Sequence, residues 1–291
     1  MLAVVATGLL ASCTNQSEYD ASGAFEADEI IISSECTGII RTFQVEEGQD
    51  LSAGATLGYI DTTQLYLKKS QLEMQKKAVL SRKPNVAVQM AALAEQLSAA
   101  EVEKKRLTSL VAGDAATIKQ LDDINTTINL LKRQLEAQQL NLENSSAGIQ
   151  QEAAAINLQI EQINDQLKKS ILINPIQGTV LAKYAYANEM TTTGKALYKI
   201  ADLSAVSLRA YISGDQLKTI QLNQLVTVRT DDGKGGFKEA EGKVTWINDK
   251  AEFTPKTIQT KNERANMVYA IKVKLVNDGS YKIGMYGELK F

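Results

Sequence analysis

The apolar residues between positions 62 and 172 recur at every seventh position, in two separate runs. The first run contains Leu65, Leu72, Val79, Val86, Leu93, Ala100 and Leu107. The second run contains Leu121, Ile128, Leu135, Leu142, Ile149, Ile156 and Ile163. A seven-residue repeat places one apolar stripe along a helix and is typical of coiled coils. The pattern therefore predicts two long helices, over residues 64–112 and 117–171, that pair as an antiparallel hairpin.

The second apolar column of this hairpin is less regular. It begins with Ile124 and Leu131, passes through polar positions, and returns one position later as Ile160 and Leu167. The polar positions are Gln138, Ser145 and Glu152. A shift of this kind changes the supercoil locally. We therefore expect the middle of the hairpin to be hydrated and irregular.

Pro84 allows two interpretations, because proline interrupts a helix. The chain could reverse there, or the first helix could merely bend. The apolar phase continues through Pro84, and the two arms are nearly equal only without a reversal, so the pattern favours a bend. The reversal is expected at residues 112–117, followed by a capping box formed by Thr117 and Gln120.

Two short β-rich segments flank the helical region and share a pattern 140 residues apart. The first copy has Gly38, Gly48, Gly54, Leu57 and Ile60; the second has Gly178, Asn188, Gly194, Leu197 and Ile200. Asparagine tolerates a left-handed turn better than most residues, so it is a conservative replacement for glycine. We interpret the glycine and asparagine positions as turns. Neither copy can bury a face alone, which predicts that the two pack together as one β-sandwich.

The remaining segment, 204–291, alternates apolar and polar residues over short stretches and is expected to form a separate β domain. The alternation and the helical repeat together indicate a mixed α and β protein that is built from three kinds of structural unit.

The composition excludes several classes of chemistry. The 291-residue chain has no histidine, two cysteines and a net charge of −2. Without histidine it cannot form a serine–histidine triad or an imidazole metal site. No phosphate-binding glycine loop is present, since the glycines of residues 233–236 fit a hairpin turn. No long basic run indicates nucleic-acid binding. We expect a non-enzymatic protein without a metal or a cofactor.

The first thirteen residues, MLAVVATGLLASC, have the length and apolar character of the core of a signal peptide. Their end resembles the bacterial lipobox, which implies that Cys13 is lipidated after residues 1–12 are removed. Residues 13–24 then form a polar tether. The alternative is an ordinary secretory signal with a chance cysteine. Cys36 would remain single, and we interpret it as a small residue near the end of a strand.

The segments GIIRTFQVEEGQDLSAGATLGYID and ILINPIQGTV resemble the two halves of the HlyD-like periplasmic adaptor (membrane fusion) proteins. The resemblance implies an elongated protein with a split lipoyl-like β-sandwich, an inserted coiled-coil hairpin and a C-terminal β-barrel. It assigns residues 25–61 to the first barrel strand and first sandwich half, and 62–172 to the hairpin. It assigns 173–203 to the second half and 204–291 to the barrel. Since the hairpin replaces the lysine-bearing turn of carrier domains, no lipoylation or biotinylation is expected.

Proteins of this family link an inner-membrane transporter to a TolC-like outer-membrane channel. The resemblance therefore implies a homo-oligomeric ring in the periplasm of a Gram-negative bacterium, anchored to the inner membrane by its lipid. The stretch AEFTPKTIQTKNERANMVYAIKV resembles adaptors of ABC exporters and favours an ABC over an RND transporter. A lipid-anchored coiled-coil scaffold without a role in transport is the alternative.

The resemblance also suggests which residues dock on the channel. Family members that engage a TolC-like channel have an arginine near the hairpin tip, a leucine four residues later and a serine eleven residues after the arginine. Arg106, Leu110 and Thr117 occupy those positions here. The alternative is that Leu110 packs in the coiled coil, Thr117 caps a helix, and Arg106 is solvated.

Overall fold

The computed structural model describes residues 19–233, 235–253 and 267–291. Cys13 and the expected signal peptide lie outside these ranges, as does most of the stretch that favours an ABC transporter. The chain divides into two compact units. The first contains the residues up to Gly58 together with Leu172–Phe291, and the second contains Tyr59–Ile171.

Three helices form the second unit: α1 (Thr63–Leu80), α2 (Val86–Ala112) and α3 (Ile118–Lys169). Both α1 and α2 pack against α3. At about 1.5 Å per residue, the 52 residues of α3 extend roughly 78 Å. The predicted helical hairpin is confirmed, with its first arm divided into two helices.

The division at Pro84 is a break and not the predicted bend. Helix α1 ends at Leu80, and α2 begins only after Asn85, whose side chain accepts a hydrogen bond from the Val88 amide at 3.2 Å. Pro84 has no N–H group and disfavours helical geometry at Lys83, so several residues leave the helix. The periodicity could not reveal this break. Val79 and Val86 are seven positions apart, so the apolar face of α2 continues that of α1 although the helix is interrupted between them.

The chain does not reverse at Pro84. Three interhelical pairs fix the register: Lys76–Asn157 at 2.7 Å, Arg82–Glu152 at 2.6 Å and Glu101–Lys132 at 3.3 Å. The residue numbers of each pair add up to 233 or 234, so α1 and α2 share one antiparallel register with α3. The prediction that the reversal lies at residues 112–117 is confirmed.

The second apolar column shifts earlier than the sequence suggested. Ser146 and Ala153 are buried, whereas their neighbours Ser145 and Glu152 are exposed. The column therefore runs through Ser146, Ala153 and Ile160, which correspond to the one-position shift. The prediction of a hydrated middle was wrong at these positions, because small side chains fill the seam there.

The residues that the structure describes form fifteen strands. They are β1 (Ala21–Glu26), β2 (Glu29–Ser33), β3 (Gly38–Phe43), β4 (Asp50–Leu51), β5 (Thr56–Ile60), β6 (Ile171–Ile173), β7 (Gly178–Lys183), β8 (Met190–Thr191), β9 (Ala196–Ala201), β10 (Ala205–Ser213), β11 (Leu225–Asp231), β12 (Phe237–Ile247), β13 (Glu252–Phe253), β14 (Met267–Val276) and β15 (Tyr286–Lys290).

Strands β2 to β9 form the β-sandwich. Its two four-stranded sheets have the orders β2-β9-β7-β4 and β6-β5-β3-β8. Each sheet combines strands from both halves of the repeat, since β4 pairs with β7 and β3 pairs with β8. The aligned residues Leu57 and Ile60, like Leu197 and Ile200, are buried in the core. The predicted split sandwich is confirmed.

Four of the six positions interpreted as turns have a positive φ angle: Gly48 (81°), Gly54 (81°), Asn188 (70°) and Gly194 (86°). The turn interpretation was wrong for Gly38 and Gly178, which are the first residues of β3 and β7. At Gly178 the constraint is space, because an added Cβ would lie 2.5 Å from the carbonyl oxygen of Ala201.

Six strands close into the β-barrel in the order β10-β1-β15-β11-β12-β14, and β14 pairs back to β10. Residues 25–33 are shared: β1 belongs to the barrel and β2 to the sandwich. Strand β1 also begins at Ala21, inside the segment expected to be a tether. The small residues of 21–24 resemble a linker, but they allow close packing. An added Cβ at Gly23 would lie 1.9 Å from the Arg209 carbonyl oxygen.

Candidate docking site at the hairpin tip

The tip of the hairpin is a short, hydrogen-bonded reversal. The amide of Ala115 donates to the Leu110 carbonyl at 2.9 Å, and the amide of Asp114 donates to the Val111 carbonyl at 3.1 Å. With Asp114 at a φ of 56°, this is the pattern of a Schellman motif. The backbone of α2 therefore determines the path of the reversal.

Thr117 caps the second arm. Its hydroxyl accepts a hydrogen bond from the Gln120 amide at 3.3 Å, and the Gln120 side chain accepts one from the Thr117 amide at 2.9 Å. The capping box predicted from the sequence is confirmed. Since the hydroxyl is already used by α3, a partner that contacts Thr117 has to share or replace this bond.

Arg106 is 66% exposed and forms a two-point ion pair with Glu103, one turn earlier on α2. Its Nε lies 3.0 Å from one carboxylate oxygen and its terminal nitrogen lies 2.7 Å from the other. The hydrogen bond lowers the pKa of Glu103 and raises the pKa of Arg106. An exposed pair of this kind is readily exchanged for another acceptor, because solvent screens it.

Leu110 is half-buried and lies one helical turn beyond Arg106, so both project from the same side of α2. The structure thus places the three predicted docking residues in the last turns of α2 and at the cap of α3. Leu110 is partly buried and partly exposed, and Thr117 has a capping role. The structure therefore also agrees with the alternative interpretation, in which Thr117 caps a helix and Leu110 packs in the coiled coil.

Sequence reasoning missed two apolar residues near the tip. Ile118, the first residue of α3, is 70% exposed, and Val102 is exposed one turn before Arg106. A groove of about 570 Å³ runs beside Val102, between Ser98 on α2 and Ile128 on α3. Ile118 could have been found, since it is an apolar residue outside the heptad column that starts at Leu121.

Metal-ligating clusters and membrane-spanning helices are both absent from the described residues. Within residues 19–233, 235–253 and 267–291, no three side chains of metal-ligating type come together. No helix among the same residues has the length and hydropathy that a membrane span requires. The tip offers a planar cation, apolar side chains and hydroxyl groups, which suit recognition of a protein surface.

No protein-family model matches the chain. It is 27% identical over 277 residues to a protein described as UPF0194 membrane protein in Yersinia pseudotuberculosis, with 87% of this chain and 83% of that protein covered. A protein of the same description in Citrobacter koseri is 24% identical over 279 residues, covering 87% and 82%.

Two solved structures share the fold. MacA from Actinobacillus actinomycetemcomitans superposes with a TM-score of 0.53 at 20% identity, covering 93% of this chain and 76% of MacA. The membrane fusion protein Spr0693 from Streptococcus pneumoniae R6 gives a TM-score of 0.50 at 15% identity, covering 92% and 96%. Together with the split sandwich, the inserted hairpin and the barrel, these likenesses show that the chain has the fold of MacA and of the membrane fusion protein Spr0693.

Proposed function

We propose that this protein is the adaptor subunit of a tripartite export system. It bridges an inner-membrane transporter, of the ABC rather than the RND type, to a TolC-like outer-membrane channel. It acts by contact and without catalysis. The proposal is supported by its similarity to a solved membrane fusion protein and by the description of its relatives as membrane proteins.

The observation that carries the proposal is the continuous register of the hairpin. Interhelical pairs on either side of the break at Pro84, Lys76–Asn157 and Glu101–Lys132, share one register. Preserving that register keeps a helix of roughly 78 Å paired over most of its length. A paired hairpin of this length adds little to the core of a small β unit, but it suits contact with a distant partner.

Anchoring through a lipid on Cys13 completes the bridge. Removal of residues 1–12 makes Cys13 the first residue of the mature chain, on the periplasmic side of the inner membrane. Two acyl chains or more are expected on this cysteine, and they give stable anchoring where a single chain would bind a membrane only marginally. The chain then assembles as a homo-oligomeric ring, because one hairpin cannot enclose a conduit.

Docking takes place by exchange at Arg106. The guanidinium leaves the Glu103 carboxylate and donates its planar pair of N–H groups to carbonyl or carboxylate oxygens of the channel. Leu110 and the exposed Ile118 supply apolar contact beside it. Thr117 contributes its methyl group and a second lone pair while it retains the cap on α3.

Export and crosslinking measured in matched arginine variants test this proposal. Arg82 is the control. Like Arg106 it is exposed and ion-paired, in its case with Glu152 across the hairpin, but it lies beside the break at Pro84 and away from the tip. In a Cys36→Ser background, Ala115→Cys places a crosslinking thiol at the tip. We expect Arg106→Ala to lower crosslinking to the channel and substrate efflux at least tenfold, while Arg82→Ala changes neither.

Two further variants refine the assignment. Arg106→Lys should recover only part of the crosslinking, since an ammonium group cannot reproduce the two-point geometry. Glu103→Gln removes the competing carboxylate and should retain or increase crosslinking. Normal efflux and crosslinking in Arg106→Ala would exclude Arg106 as a docking residue. Purification from membranes without any permease or channel would favour the scaffold alternative.

A further inference from the structure

One end of the β-barrel is free of the sandwich. Because neighbouring strands are antiparallel, β1, β11 and β14 begin at this end, and β10, β12 and β15 finish there. The connections to the sandwich, from β1 to β2 and from β9 to β10, leave from the opposite end. We call the first the free end, and define it by residues 19–20, 214–225, 248–253, 267 and 290–291.

The free end exposes large apolar side chains. Phe253 is 85% exposed and Met267 is 56% exposed, and the two face each other across the pairing of β13 and β14. Leu222, Leu225 and Phe291 are exposed at the same end. Apolar side chains gathered at one end of a domain indicate an interaction surface, because exposure to water is unfavourable for each of them.

The attachment of Asp20 to the barrel, together with the proposed lipid on Cys13, points to a bilayer as the partner. The backbone is fixed to the barrel from Asp20 onward: its amide donates to the Leu289 carbonyl at 2.8 Å, and its carboxylate accepts from the Phe291 amide at 2.8 Å. Six residues lead from Cys13 to Tyr19. Fully extended, they span at most about 22 Å. A lipid on Cys13 therefore keeps the free end within that distance of the bilayer surface.

Among the described residues of the free end, exposed cations and anions are equal in number. The exposed cations are Lys218, Lys250 and Lys290, and the exposed anions are Asp20, Asp215 and Asp249. Glu252 is paired with Arg209 at 3.3 Å. The segment between Phe253 and Met267 adds three basic residues and one acidic residue in sequence, so attraction to anionic lipid has to be separated from apolar contact by experiment. Apolar contact is the interaction that the exposed side chains of the described residues support.

We infer that the free end of the barrel inserts Phe253 and Met267 into the interfacial region of a phospholipid bilayer. This contact would hold the barrel against the bilayer surface, in addition to the lipid that anchors the chain. The inference rests on the proposed lipidation of Cys13 for its geometry, and its apolar contact can be measured without the lipid.

Vesicle binding of the unlipidated chain provides the test. We consider the chain with Cys13→Ser, added to vesicles of phosphatidylcholine alone or with one quarter phosphatidylglycerol, and separated by flotation. Burial of a large apolar side chain changes partitioning by about tenfold or more. Phe253→Ser with Met267→Ser should therefore weaken binding at least tenfold. Val276→Ser with Tyr286→Ser is the matched control, since both residues are exposed at the opposite end.

A probe reports the contact directly. In the Cys13→Ser, Cys36→Ser background, an environment-sensitive dye on Phe253→Cys should shift to the blue on adding vesicles, and the same dye on Val276→Cys should not. Three results would overturn the inference. The first is equal binding by the chains with and without Phe253→Ser and Met267→Ser. The others are binding that requires phosphatidylglycerol and disappears in salt, and no binding at all. Loss of a transporter crosslink in Phe253→Ser without vesicle binding would also overturn it and identify a protein partner.

Failure of the lipidation is distinguished by mass spectrometry of the mature N-terminus. An unmodified Cys13 combined with vesicle binding through Phe253 would refute the proposed anchor and support the interfacial contact. A lipidated Cys13 combined with no vesicle binding by the Cys13→Ser chain would support the proposed anchor and refute the interfacial contact.

Discussion

The hydroxyl of Tyr198 donates a hydrogen bond of 2.9 Å to the side-chain oxygen of Asn174, and both residues are buried in the sandwich. The Asn174 amide group in turn donates to the carbonyls of Ser52 and Ile176. Ser52 belongs to the first half of the sandwich and Tyr198 to the second. Asn174 thus connects the two halves where the chain returns from the hairpin.

Asn174→Ala should destabilise the sandwich by about 2–4 kcal/mol, because it leaves the Tyr198 hydroxyl and two carbonyls without their partner. Tyr198→Phe should cost less, about 1–2 kcal/mol, since it leaves only the Asn174 oxygen without a donor. Unfolding in urea, followed by circular dichroism, measures both. Asn141→Ala, at an exposed position of α3, is the control. A loss below 1 kcal/mol in Asn174→Ala would contradict the prediction.

The same hydroxyl predicts a pH dependence. Burial raises the pKa of Tyr198 to about 12, above an unfolded value near 10. The folded state then holds its proton more tightly, so the contribution is complete below about pH 10 and is lost as the pH rises toward 12. That loss is about 2–3 kcal/mol. The stability difference between wild type and Tyr198→Phe should therefore shrink over this interval and reverse in sign near pH 12, because the loss exceeds the advantage of about 1–2 kcal/mol. A constant difference from pH 8 to pH 12 would refute it.

The regular parts of this fold could be predicted because their apolar residues and glycines recur at fixed spacings in the sequence. The heptads determine the hairpin and its register, and the repeat determines how the halves of the sandwich combine. Strand β1 could not be predicted in the same way. Gly23 and its small neighbours carry no periodic signal, and their requirement is the close approach of β10, which only the tertiary structure shows.

The sequence predicted where the candidate docking residues lie, but it predicted the hydrogen-bond partner of only one of them. The sequence placed Arg106 and Thr117 near the tip and indicated the partner of Thr117, because the capping box is a local motif. It did not indicate the ion pair between Arg106 and Glu103, since an exposed acidic residue three positions away on a helix can pair with any of several neighbouring cations. Exposure of Ile118 likewise depends on where α3 begins.

Pro84 and Asn85 should be energetically coupled. Pro84→Ala should allow α1 and α2 to join as one helix, because the register on either side already agrees, and helicity at 222 nm should rise. Asn85→Ala should destabilise the wild type by about 1 kcal/mol through loss of the α2 cap, but should cost little once Pro84 is replaced. A double-mutant cycle of unfolding free energies measures the coupling. Additive effects would mean that the helices remain separate in Pro84→Ala.

Asp114 should control the shape of the tip. Its φ of 56° is left-handed, where glycine is free of steric cost and a β-branched residue is not. Asp114→Gly should therefore protect the Ala115 amide from hydrogen exchange as well as the wild type or better. Asp114→Val should lose about 1–2 kcal/mol of local protection. If the tip docks in this conformation, Asp114→Val should also reduce export, although Arg106, Leu110 and Thr117 are unchanged. Normal export together with lost protection would show that docking does not require the Schellman reversal.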